Sequence, residues 1–250
     1  MICSRGVGLT AILLCMLMAA PPASASRANG PDPAVAEWSN WPYQATCGVA
    51  PFDPVSVFSS ETGAERGSRP AEQALARFVR SEPLPLMGKH DWRLLGESTT
   101  SAEFVRGRLS RQLNWLLFEQ IGGEWKFQSY SSDCTPSSIV DDHPAVAWSL
   151  AREQKRLTAR TRSVKVNLGP GPCSGGRSQN AHAHPVFRQL GRRLLMSIWL
   201  DPLPPGNYTC VGLIEPPLVV RLPSRLGNRV LYDGGRFPAS RAGQTRSEEL

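Results

Sequence analysis

The chain has 250 residues, 41% hydrophobic and 20% charged, proportions that allow a buried core and exclude wholesale disorder. Its net charge of +7 rests on 28 basic residues, of which only Lys89, Lys126, Lys155 and Lys165 are lysine, and the scattered arginines argue against a nucleic-acid surface. No segment beyond the first 25 residues reaches the roughly 18 uncharged apolar residues of a spanning helix.

Residues 1–25 read as a signal peptide: Arg5, an apolar run over 7–20, then the small-residue cleavage signature Ala23-Ser24-Ala25. Cleavage leaves 225 residues carrying +6, because Arg5 is the only charge removed. Leu14 before Cys15 is too bulky for a lipid-attachment site, so the mature protein is expected to be secreted, extracellular and free of transmembrane segments. An oxidising compartment makes disulfides the default for its four cysteines, Cys47, Cys134, Cys173 and Cys210.

Residues 26–58 are rich in proline and turn formers, with Trp38 and Trp41 as apolar anchors, and read as an extended arm. An α+β domain is expected over 59–150. In it, Pro70 opens a helix whose Leu75, Phe78 and Val79 share one face at i, i+3, i+4 spacing. Short alternating strands follow at 92–95 and 102–106. Next comes a hairpin of 113–121 and 124–131, turned by Gly122-Gly123, a pair that tolerates positive φ. Leu113, Trp115, Leu117 and Ile121 share a face of the first strand, as Trp125 and Phe127 do of the second. A helix laid across that aromatic surface makes the domain NTF2- or cystatin-like, a likeness of fold only.

Residues 151–162 are charged and poor in apolar residues, as a linker would be. A β-sandwich domain over 163–240 follows, from the alternation of Val164, Val166 and Leu168 and the runs at 192–200, 208–214 and 218–222. Tyr208, two residues before Cys210, matches the tyrosine corner of immunoglobulin domains, but Cys173 and Cys210 are too close in sequence for the usual intersheet bridge. The expectation is therefore immunoglobulin-like in the broad sense, with a disordered tail at 241–250. Four cysteines allow three pairings; pairing within domains predicts Cys47–Cys134 and Cys173–Cys210.

The search for chemistry yields no catalytic residue. His182 and His184, at i, i+2, would face one side of a strand, yet two ligands do not complete a metal site. Asp141-Asp142-His143 places carboxylates beside an imidazole, but turn chemistry accounts for them, and no nucleophile elbow, phosphate loop or H-E-x-x-H helix is present. Asn207-Tyr208-Thr209 is a glycosylation acceptor for a host that uses one.

Gly123-Glu124-Trp125-Lys126-Phe127 leading to Cys134, the segment Trp148-Ser149-Leu150, then Cys173-Ser174-Gly175-Gly176-Arg177, Cys210, and the tail Leu222-Pro223-Ser224-Arg225-Leu226-Gly227 through Arg229, Leu231 and Asp233-Gly234-Gly235-Arg236-Phe237-Pro238 form a layout similar to that of uncharacterised secreted actinobacterial proteins. The resemblance implies export and two domains, and no activity. The expected function is a non-enzymatic, disulfide-stapled binding or cell-envelope module without cofactor, its extracellular ligand unassigned. The alternative is a secreted hydrolase or metal-binding protein using Asp141, Asp142 and His143 with His182 and His184.

Overall fold

The structure, a computed structural model, describes residues 33–48, 50–60, 63–81, 88–109, 113–169, 175–209 and 215–243. The expected signal peptide, the Cys173–Cys210 pair and the tail from 244 onward lie outside the described residues.

The described residues begin with two short helices, α1 (Pro33–Glu37) and α2 (Pro54–Ser59), on either side of strand β1 (Gln44–Thr46). Asp53 caps α2, its carboxylate accepting the Val55 N–H at 3.0 Å, and Pro54 fills the first helical position, where no N–H is needed. Helix α3 (Pro70–Ser81) begins as its sequence predicts. Glu72 reaches back from its first turn to accept the Arg69 backbone N–H at 3.0 Å and pairs with the Arg69 guanidinium at 2.7 Å, half of a capping box.

Strands β2 (Trp92–Glu97), β3 (Ser101–Arg106), β4 (Leu113–Ile121) and β5 (Glu124–Cys134) form an antiparallel sheet in that order. Gly122 and Gly123 turn β4 into β5 with φ of 63° and 83°, the conformation that favours glycine there. Ala71, Ala74, Leu75 and Val79 of α3 pack with Trp92, Phe104, Leu116 and Phe118 on one face. Leu113, Trp115 and Leu117 point the other way, into a second core with Trp38, Phe52, Phe58, Leu195 and Phe237.

That second face corrects the expected architecture. The protein is mostly β, with three α-helices among the described residues, and no separate α+β domain of NTF2 or cystatin type precedes a self-contained immunoglobulin-like sandwich. The face of β4 expected to lie under the helix instead packs against the N-terminal arm, through Trp38, Phe52 and Phe58, together with Leu195 and Phe237 from the C-terminal half, while the helix covers the alternate positions. Ile121, assigned to the same face, is exposed at the hairpin tip.

Strands from both halves also share one mixed sheet. It contains β1, β6 (Ser137–Val140), β7 (His143–Val146), β11 (Arg193–Leu200), β13 (Val230–Asp233) and β14 (Ser240–Arg241), with β10 (Ala183–Leu190) paired to β11. β11 and β13 run parallel, unlike the strands of an immunoglobulin sheet. The segment expected to link two domains, 151–162, is therefore spanned by a sheet that draws on both sides of it. A three-stranded sheet of β8 (Trp148–Leu150), β9 (Ser163–Leu168) and β12 (Leu218–Arg221) covers the mixed sheet through Val164, Val166, Met196, Ile198 and Leu231. β11 is the joint: Leu194, Met196 and Ile198 face this third core, and Leu195 faces the core behind β4. A strand buried on both sides needs a near-continuous apolar run, which 194–200 supplies with the buried Ser197 as its one polar residue.

The disulfide Cys47–Cys134 is present, with 5.6 Å between Cα atoms across 87 positions of sequence. Closing a loop of that length stabilises the fold by about 4.5 kcal/mol on the chain-entropy argument. It ties the N-terminal arm to the end of β5. No helix among the described residues is long and apolar enough to cross a membrane.

Candidate functional site

A cleft of about 460 Å³ opens where the N-terminal arm meets the end of β13. Glu37 and Trp38 form one side, Trp148 and Ser149 at the start of β8 another, and Asp233, Arg236 and Phe237 the third. Its volume falls in the range of small-molecule sites.

The tail motif builds the third side through close backbone approach. A Cβ on Gly234 would sit 2.7 Å from Ser197 Oγ, and one on Gly235 would sit 2.5 Å from the Val146 carbonyl oxygen, so neither position has room for a side chain. The Ser138 N–H donates to the Gly235 carbonyl at 3.0 Å, and the Phe237 N–H to that of Pro136 at 2.9 Å, fixing the turn against β6. Asp233 is buried there, and its two oxygens accept the N–H groups of Gly235 at 2.9 Å and Trp148 at 3.2 Å. Burial pushes its carboxyl up to about 6, although the Gly235 and Trp148 N–H groups and the Arg236 charge each pull it down.

The other charges in the cleft divide sharply. Arg193 donates to the Glu37 carboxylate at 3.0 Å and to its carbonyl at 2.7 Å, and lies over the Trp38 ring at 4.5 Å. Trp148 donates its indole N–H to the Met196 carbonyl at 2.8 Å, which fixes the ring orientation. Arg236 is half-buried, and among the described residues its guanidinium has no hydrogen-bond or ion-pair partner. Asp233 and Arg236 both belong to the tail motif the sequence singled out, but nothing local revealed that they meet Glu37 and Trp38 across nearly 200 positions.

The histidines gather elsewhere. Asp201 receives His184 Nε2 at 2.7 Å on one oxygen and His182 Nδ1 at 3.2 Å on the other, and these contacts, His184 first, hold its carboxyl below the usual range. His184 of β10 and His143 of β7 stack on Trp199 of the intervening strand, with centroids at 4.1 and 4.2 Å. His182, His184 and Asp201 are about half-exposed, and His182 and Asp201 border only a small hollow of about 60 Å³. Asp141 and Asp142 form the β6–β7 turn, with φ of 50° and 64°, as turn chemistry anticipates. Among the described residues, no group of three or more His, Cys, Asp or Glu side chains is arranged to hold a metal ion.

No family model, curated protein or solved structure matches this chain.

Proposed function

We propose that the protein is an extracytoplasmic, disulfide-stapled, non-enzymatic binding module of the cell envelope, with the cleft between Trp38, Trp148 and Arg236 as its ligand site. The observation that carries this reading is the state of the cleft's charges. Both oxygens of Asp233 are taken by backbone N–H groups and Glu37 is held by Arg193, so neither is poised as a general base, while Arg236 keeps its donors uncommitted. Export is supported by the cleavage signature at Ala23-Ser24-Ala25 and by the Cys47–Cys134 bridge, which persists outside a reducing cytosol. The hydrolase or metal-binding alternative loses ground because Asp141 and Asp142 serve a turn and the three histidines are spent on Asp201 and Trp199.

Two measurements test the proposal. Expressed from its first residue in an exporting host, the protein should be recovered outside the cytoplasm starting at Ser26, with Cys47 and Cys134 crosslinked on non-reducing peptide mapping. In a fragment screen by NMR on that material, hits should shift the indole resonances of Trp38 and Trp148. Retention in the cytosol with both thiols free, or hits that map to the His184 and Trp199 surface instead, would overturn it.

A further inference from the structure

We infer that the cleft selects a small monoanionic carboxylate with an aromatic or apolar body, anchored by the Arg236 guanidinium; this rests on the cleft being the binding site. Arg236 is the one Lys or Arg lining the cleft, and although its charge acts on Asp233, its guanidinium makes no hydrogen bond or ion pair among the described residues. Its planar fork of N–H donors matches the two oxygens of a carboxylate, and a half-buried guanidinium gains more from such a pairing than an exposed one. The body of the ligand is specified by the surroundings. Trp38 and Phe237 are nearly fully buried in the adjoining core and present fixed apolar surface, and the tethered Trp148 presents another. Thr135, Ser149 and Ser240 line the same space and carry hydroxyls suited to secondary hydrogen bonds.

Charge number separates a carboxylate from a phosphate. Glu37 is already paired with Arg193 and the Arg236 charge already acts on Asp233, so the cleft holds no surplus positive charge for a dianion, whereas a monoanion needs only the free donors of one guanidinium. Two sources offer the same chemistry, a free small acid or the C-terminal carboxylate of a peptide.

The test uses the full oxidised chain and follows the Trp38 and Trp148 indole resonances. Titrations compare phenylacetate, phenylacetamide, inorganic phosphate, and a tetrapeptide ending in phenylalanine with and without C-terminal amidation. Phenylacetate or the free-acid peptide should bind at least tenfold tighter than the matching amide, and whichever acid binds identifies the source. Arg236→Gln should abolish the preference of acid over amide, and Arg236→Lys should keep a reduced preference. Unchanged Gly122 and Gly123 resonances, far away in the β4–β5 turn, establish that each variant is folded. An amide that binds as well as its acid, or phosphate that binds more tightly than either acid, overturns the carboxylate assignment but leaves the cleft as a binding site. Shifts with none of the probes overturn both.

Discussion

At the residue scale, the two most deeply buried carboxylates, Asp233 and Glu103, act in different ways. Asp233 titrates near 6 in the folded protein, above its ordinary value of 3.8, so the native state binds its proton more readily than the unfolded chain does. Its contribution to stability is therefore greatest below about pH 4 and falls as pH rises to 6, by about 3 kcal/mol for a shift of roughly two units. The urea midpoint should decline across that window, and Asp233→Asn should flatten the decline. That variant should also be less stable overall, because its amide nitrogen would face an N–H that the carboxylate now accepts. Glu103 is a buried hinge of hydrogen bonds: it accepts the Trp115 indole N–H at 2.7 Å and the Ala50 N–H at 2.5 Å, joining β3 and β4 to the chain beside Cys47. Glu103→Ala orphans both donors and should cost about 3 kcal/mol in denaturant unfolding, whereas Glu103→Gln, keeping one acceptor, should cost less. The strand over 102–106 is legible in sequence, but an inward glutamate breaks its alternation and can be read only once its partners from two other segments are known.

At the element scale, α3 shows how far a local pattern reaches. Pro70, the i, i+3, i+4 spacing and the stop after Ser81 determine where the helix lies, and Leu75 and Val79 are buried as that spacing requires. Its cap adds a pH-dependent term of opposite sign to that of Asp233. Burial pushes the Glu72 carboxyl up, but the Arg69 guanidinium and backbone N–H outweigh it and hold it below its usual 4.5. This stabilisation is present above pH 4.5 and disappears as the carboxyl protonates below that. Glu72→Ala should destabilise the protein at pH 7 by about 1 kcal/mol, a difference that shrinks by pH 3. A change in helix content by circular dichroism, without loss of the β signal, would locate the effect in α3. The Gly122-Gly123 turn was equally legible, since positive φ at two successive positions is a demand the sequence states directly.

At the scale of the whole molecule, β11 makes the two halves interdependent. Leu195 packs into the core behind β4, and its neighbours Leu194 and Met196 pack into the core of the C-terminal sheets. A fragment of 151–250 retains β10, β12 and β13 but loses β7 beside β11 and the aromatic core around Trp38 and Trp115. Expressed alone, it should show no cooperative thermal transition, while the intact oxidised chain should melt in a single one; independent melting of the fragment would refute this coupling. Sequence alone determined the local choices, the turns, the helix start and the apolar run of β11, because propensity and period are properties of neighbouring residues, whereas the Cys47–Cys134 pairing, 87 positions apart, follows from sequence only on the assumption that cysteines pair within domains. Only the tertiary structure decided which face of β4 the helix covers, that β1, β6 and β7 join a sheet with β11 and β13, and that Arg236 meets Trp38 across a cleft. A period of two marks alternate positions without saying what will cover them, and a strand buried on both faces satisfies two partners with one apolar run.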